Sequence, residues 1–231
     1  AILFGATLTV FANTEIAIPP AAVIECIHTY SLIHDDLPSM DDDKVRRGKA
    51  TNHLVYGDAI AILAGDALLT LAFNILADRN WDISDSKRVK IIETVAVKAG
   101  ANGMVGGQAF ELSIDNNDID EKKLFSIYRM KSADLFSASC KIGGIIAGRT
   151  QEEIGILENF GEKIGFYFQN IEKDKQKSKH KNGLTLVNLI GEEYAKKRAN
   201  EFFAQAMSEI EKFDKQDVAI LKELAQFITK N

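Results

Sequence analysis

Asp35-Asp36-Leu37-Pro38-Ser39-Met40-Asp41-Asp42-Asp43, followed at once by Lys44, Arg46, Arg47 and Lys49, packs five carboxylates into nine residues and sets a basic cluster against them. Two carboxylates ~4 Å apart repel by about 4 kcal/mol at an effective dielectric of ~20. Such an array persists where cations neutralise it. A lone Mg²⁺ site does not call for arginines beside it. Mg²⁺ takes one or two protein carboxylates and completes its shell with water and substrate phosphates, while Arg grips the remaining phosphate oxygens through paired hydrogen bonds. Acid followed by base in one short segment therefore reads as a Mg²⁺-diphosphate site. The plainer alternative, a solvated acidic helix end, explains neither the arginines nor the apolar approach to the first aspartate.

That approach, Ala21 to Ile33 (AAVIECIHTYSLI), has helical character and leads directly into His34-Asp35-Asp36. On an undistorted helix Asp35 and Asp42 share a face, because seven residues nearly close two turns. Pro38 removes a donor and kinks or ends the helix, so spacing alone leaves both Asp41 and Asp42 open as the partner of Asp35. Working outward, Val55–Ala77, Ser86–Leu112, Asp120–Ala147, Gln151–Gln169, Glu192–Phe213 and Gln216–Lys230 repeat apolar residues at three- and four-residue spacing. Ser84 or Asp85, and Asp118 or Asp120, stand where helix starts are expected, and Gly148 and Gly191 mark breaks. No hairpin dipeptide joins two alternating segments, and no repeat is evident. The glycines at 100, 103, 106 and 107 follow no strand, so they read as small residues that let two helices pack closely rather than as a dinucleotide fingerprint. The expected architecture is an all-α helical bundle, residues 1–231 as one domain.

Bulk properties narrow the function. A net charge of −5 argues against non-specific nucleic-acid binding. Cys26 and Cys140 are too few for a zinc site or a disulfide framework and read as buried thiols. The N-terminal residues lack the basic start of a signal peptide. The apolar tract Val55–Ala77 carries Asp58, Asp66 and Asn74, so it is expected as a core helix and not a membrane span. The compartment these traits imply is cytoplasmic.

His28-Thr29-Tyr30-Ser31-Leu32-Ile33 leading into the acidic stretch, then Arg46-Arg47-Gly48-Lys49 and Asn52-His53, resembles the first aspartate-rich motif of the trans-isoprenyl diphosphate synthases. The form with two extra residues between the aspartates resembles that of bacterial farnesyl diphosphate synthases and type II geranylgeranyl diphosphate synthases. The resemblance continues through Leu63-Ala64-Gly65-Asp66-Ala67-Leu68-Leu69, Gly106-Gly107-Gln108, Met130-Lys131-Ser132 and Phe168-Gln169. It implies the isoprenoid-synthase helical bundle with a central substrate cavity. It also implies a reaction in which an allylic diphosphate, dimethylallyl or geranyl, ionises and isopentenyl diphosphate attacks the cation, with a proton then lost. No protein nucleophile is required. The implied cofactor is Mg²⁺, up to about three ions per site with diphosphate bound, and the implied assembly is a homodimer.

The resemblance also assigns roles. Asp35 and Asp41 correspond to Mg²⁺ ligands, with Asp36 completing the acidic pair or standing behind it. Arg46 corresponds to an arginine on the allylic diphosphate, and Arg47 to one on isopentenyl diphosphate. His28, two turns before Asp35, corresponds to a further ligand of isopentenyl diphosphate; without the resemblance it would read as a core histidine. Lys131 corresponds to a lysine on the allylic diphosphate, Ser132 to a hydroxyl near the cation, and Gln169 to a glutamine near the reacting carbons. Lys181 is the better candidate, over Gly183, for a later substrate-binding lysine. Tyr30, five residues before Asp35, stands where an aromatic ring limits chain growth, which favours farnesyl over geranylgeranyl diphosphate.

Two departures stand out. The second acidic motif (DDxxD) should follow Phe168-Gln169, but the chain reads Asn170-Ile171-Glu172-Lys173-Asp174, and the N-terminal basic segment that binds isopentenyl diphosphate is not seen before Ile2-Leu3-Phe4. Either the chain is a noncatalytic, diphosphate-binding relative, or charged segments that order on substrate binding are missing, the inner one around residues 169–173. The abrupt step from buried helix to lysine-rich sequence favours the second. A metal phosphohydrolase built on His34-Asp35 would need further histidine ligands than His28, His53 and His180 offer. A terpene cyclase would not call for Arg46, Arg47 and His28.

Overall fold

The apolar approach is a single helix, α1 (Thr14–Asp35), in a computed structural model that describes residues 14–115, 118–175, 184–214 and 218–230. These fall into two units, one of residues 18–82 and one that holds Ile83–Asn231.

In the first unit α1 buries Val23, Ile24, Ile27 and Tyr30, the three- and four-residue spacing that marks its inward face. It stops at Asp35, three residues ahead of Pro38, so the proline ends the helix rather than kinking it. A hairpin follows that the sequence reading did not expect. Strand β1 (Val45–Arg46) pairs antiparallel with β2 (Lys49–Ala50). Arg47 and Gly48 between them have φ of 52° and 77°, the pair of positive values that a tight two-residue hairpin turn requires. The hairpin escaped notice because its strands are two residues long and charged, with no apolar alternation to reveal them.

Helix α2 (Asn52–Tyr56) and helix α3 (Asp58–Ala77) complete this unit, divided at Gly57 where one helix was expected. The expectation that this tract is a buried core helix also needs correcting. Within its unit α3 buries only Ala61, Gly65, Ala72 and Leu76, a narrow stripe of mostly small residues, while Ile60, Leu63 and Leu71 are exposed. Apolar composition predicted burial, but the small side chains occupy the packed face and the bulky ones point away. Glu15–Asp35 and Asp58–Ala77 are long and apolar enough to cross a membrane by length and composition, a test that core helices of soluble folds also pass.

The second unit begins with α4 (Asp85–Ala99), whose Ser84 cap accepts from the Lys87 N–H. The expected Ser86–Leu112 helix breaks at residues 100–103, and α5 (Met104–Ser113) resumes beyond. Asp120 caps α6 (Glu121–Tyr128), accepting from the Lys123 N–H at 2.7 Å. A π-helical turn, Arg129–Ala133, joins it to α7 (Asp134–Ala147). Then come α8 (Gln151–Lys175), α9 (Leu186–Ile190), α10 (Glu192–Ile210) and α11 (Ala219–Lys230). Leu124, Ile127, Tyr128, Phe166, Tyr167 and Phe202 form one core, in which the Phe166 and Phe202 rings stack at 4.8 Å. The Lys98 ammonium binds Asp134 at 2.8 Å and Glu158 at 3.3 Å, linking α4, α7 and α8 with a pair that burial protects from water.

Candidate active site

The helical hydrogen-bond ladder of α1 cannot continue through Pro38, and the chain turns back on itself. The Asp41 N–H donates to the Asp35 carbonyl at 2.9 Å, and the Asp42 and Met40 N–H groups donate to the Leu37 carbonyl. Asp41 is the residue whose backbone returns to Asp35. Asp42 has a φ of 55°, and its carboxylate takes the Lys44 ammonium at 2.6 Å.

Asp36 has a different neighbour. It is 3% exposed and receives both Nε and Nη2 of Arg46, at 2.6–2.9 Å; Nη2 also reaches Asp43 at 3.4 Å. The hydrogen bond to Asp36 holds the Arg46 guanidinium above its ordinary pKa, opposed by burial and helped by the charges of Asp36, Asp43 and Asp35. Asp36 is thus seated on Arg46, and the hairpin that carries Arg46 is closed by Thr51, whose hydroxyl donates to the Asp43 carbonyl at 2.8 Å. Arg47 occupies the exposed hairpin tip. His28 is half-buried on α1; burial pushes its pKa down, Glu25 pushes it up, and Arg46 and Arg47 lower it. That both guanidiniums act on this imidazole places them in its electrostatic neighbourhood. Tyr30 is buried, and burial, then Asp35, raises the pKa of its phenol.

Among the described residues no three acidic, histidine or cysteine side chains converge into a metal cage. Mg²⁺ does not ask for one, since it binds through one or two carboxylates together with substrate phosphates. The two-carboxylate set of Asp35 and Asp41, drawn into one turn by the Asp41 to Asp35 hydrogen bond, fits that requirement.

The remaining candidates lie in the second unit, on and beside the π-helical turn. Its wide hydrogen bonding runs from the Asp134 N–H to the Arg129 carbonyl, and single π turns inside helices recur at functional sites. Lys131 meets Glu111 of α5 at 2.6 Å, both side chains largely buried. The Ser132 hydroxyl donates to Gln169 Oε1 at 2.5 Å, and Gln169 is buried on α8. The expected close packing of the glycine-rich stretch is found here: a Cβ added at Gly107 would lie 2.6 Å from the Lys131 backbone nitrogen and 2.8 Å from Met130 Cβ. Glu111 was missed in the sequence, because a single carboxylate in Phe110-Glu111-Leu112 carries no pattern of its own. The role of Asp36 as the seat of Arg46 was missed as well, though the nearby arginines were its signal.

Beyond Gln169 the helix runs on without interruption to Lys175. Where the second acidic motif was expected stands Asn170, buried, its side-chain amide donating to the Phe166 carbonyl at 2.7 Å. Lys181 lies outside the described residues.

The family model described as polyprenyl synthetase matches residues 1–174. The chain is 38% identical over 226 residues to the farnesyl diphosphate synthase of Escherichia coli, covering 90% of this chain and 76% of that one. It is also 38% identical to geranylgeranyl pyrophosphate synthase 7 of Arabidopsis thaliana, a chloroplastic protein, covering 94% and 67%. Among solved structures, an FPP/GFPP synthase from Zymomonas mobilis superposes with a TM-score of 0.89 at 33% identity, over 98% of this chain and 81% of that one. A Helicobacter pylori geranyltransferase complexed with magnesium and isoprenyl diphosphate superposes with a TM-score of 0.88 at 30% identity, over 99% and 82%.

Proposed function

The chain belongs to the polyprenyl synthetase family, and from that premise we propose that it condenses isopentenyl diphosphate with dimethylallyl or geranyl diphosphate to give farnesyl diphosphate. The observation that carries this reading is the turn at Asp35–Asp43, where Asp41 is hydrogen-bonded back to Asp35 while the neighbouring Asp36 holds Arg46. Metal carboxylates and a phosphate-binding cation are thereby prepared in one segment.

Asp35 and Asp41 would hold Mg²⁺; the Helicobacter pylori geranyltransferase that superposes on this chain is itself complexed with magnesium. When bound, the metal supplies positive charge against the leaving diphosphate. The chain's own residues do the rest. Arg46 presents a guanidinium oriented by Asp36, and its remaining N–H groups suit diphosphate oxygens. Lys131 adds a second cation for the allylic diphosphate. Arg47, at the tip of the hairpin, and His28 are the candidates for isopentenyl diphosphate. Ser132 and Gln169, joined by a hydrogen bond, offer uncharged oxygen dipoles to the allylic cation. The second substrate's alkene forms the new carbon–carbon bond, and the adduct loses a proton. Tyr30, aromatic and buried, suits a stop at fifteen carbons. The exposed Ile60, Leu63 and Leu71 of α3 suit the face of a homodimer in the cytoplasm.

A second reading has its own observation. Helix α8 passes Asn170 without the second acidic motif, which suits a diphosphate-binding subunit that does not catalyse. Incubation with labelled isopentenyl diphosphate, geranyl diphosphate and Mg²⁺, followed by product chromatography, separates the two. A fifteen-carbon product that disappears with EDTA supports the synthase. A twenty-carbon product revises Tyr30 alone. A folded protein that retains geranyl diphosphate without condensing it supports the subunit.

A further inference from the structure

His34, between Tyr30 and Asp36, carries an imidazole that the proposed reaction leaves unused. Its Nε2 lies 3.0 Å from the Ile62 carbonyl oxygen on α3. A carbonyl only accepts, so Nε2 carries the proton and donates. The imidazole is received by Gly65, one turn further along α3 and buried there. A Cβ added at Gly65 would overlap the His34 ring, Nε2 first. A helix-interior glycine costs about 1 kcal/mol against alanine, and what Gly65 supplies in return is the space that the imidazole fills.

On its other side the imidazole meets Tyr30, one helical turn back, in an edge-on contact with ring centroids 5.8 Å apart at 74°. The Tyr30 hydroxyl is buried with no hydrogen-bond partner among the described residues, so packing alone sets the angle of that ring. His34 is also the residue next to Asp35. One side chain, seated in a notch that glycine leaves open, therefore braces the tyrosine assigned to chain length and leads directly into the carboxylate assigned to the metal.

We infer that His34 and Gly65 form a positioning notch that sets product length by holding the Tyr30 ring in place. The inference rests on the synthase reading above. His34 acts through Tyr30 and is not itself a ligand. With the notch filled or the imidazole removed, Tyr30 loses the ring it leans on and can turn aside, and growth continues past fifteen carbons.

The test compares wild type with Gly65→Ala, His34→Ala and the double variant, each given labelled isopentenyl diphosphate and geranyl diphosphate. The expected result is a rise of about tenfold in the ratio of twenty- to fifteen-carbon product in each single variant, the size of effect one lost ring contact can produce. The double variant should rise no further than either single one, because both changes act on one notch. A His34→Gln variant, which keeps a donor for the Ile62 carbonyl but no ring, should behave like His34→Ala. Folded His34→Ala with the wild-type product ratio overturns the inference. Melting temperatures test the notch apart from function: Gly65→Ala should melt lower, and adding His34→Ala should recover part of the loss by making room for the methyl group. Failure of that recovery also overturns the inference, whereas a wild type that forms no product fails the synthase reading instead.

Discussion

The acid–base turn of the first unit and the π-helical turn of the second are built on opposite plans. Arg46 stands ten residues from the carboxylate that holds it and three from Asp43, and Asp41 reaches back six residues to Asp35. Lys131 finds Glu111 across twenty residues, and Ser132 finds Gln169 across thirty-seven. The first site is closed by its own chain; the second exists only after α5, the π-helical turn and α8 have packed. A short closure costs little entropy, so its chemistry survives as a readable string. A site assembled from distant helices leaves only isolated letters.

Asp35→Ala cuts deepest into this contrast. It should lower condensation by about a thousandfold or more through lost charge stabilisation, with melting nearly unchanged, as read by product formation and a thermal scan. Loss of fold instead of activity would make the turn structural. Asp36→Ala should differ in kind, because it strands a half-buried guanidinium. A loss of about 3 kcal/mol in urea unfolding is expected, together with a raised KM for geranyl diphosphate; wild-type stability would mean that the hairpin is held by something other than this pair. On the second plan, Gly107→Ala presses a methyl group against the Met130 and Lys131 backbone. About 1–3 kcal/mol of destabilisation is expected from such overpacking, with kcat lowered because Lys131 moves. If Gly107→Ala proves silent, the π-helical turn is less tightly specified than its contacts imply.

The smallest effect is one of pH. Burial lowers the pKa of His28 below its unfolded value, so its contribution to stability is present above the ordinary histidine range and is lost as pH falls through the lowered folded value. The melting temperature should therefore fall as pH drops below about 6.5, and His28→Gln should flatten that decline.

How much of this was legible follows the same division. The helical class could be read from apolar spacing, and the family from Asp35–Asp43 with Arg46 and Arg47. Local pattern failed where it carried two meanings. Val55–Ala77 is apolar throughout, yet its packed stripe is Ala61, Gly65, Ala72 and Leu76, and its larger residues lie outside. Residues 100–103 interrupt a helix that periodicity alone would have continued. Glu111 and Asp134 are single carboxylates whose meaning comes from Lys131 and Lys98, partners that only the packed helices bring near. The hydrogen bond that returns Asp41, and not Asp42, to Asp35 is made by the backbone, and no side-chain spacing encodes it.

The most direct test of the account is the rate of condensation of labelled isopentenyl diphosphate with geranyl diphosphate by wild type, with and without EDTA, beside Asp35→Ala and Lys131→Met. If the locally closed turn and the distantly assembled one serve a single reaction, farnesyl diphosphate forms with wild type and Mg²⁺, and all three interventions suppress it. A folded wild type that forms no product, or a Lys131→Met variant that keeps the wild-type rate, would contradict the account.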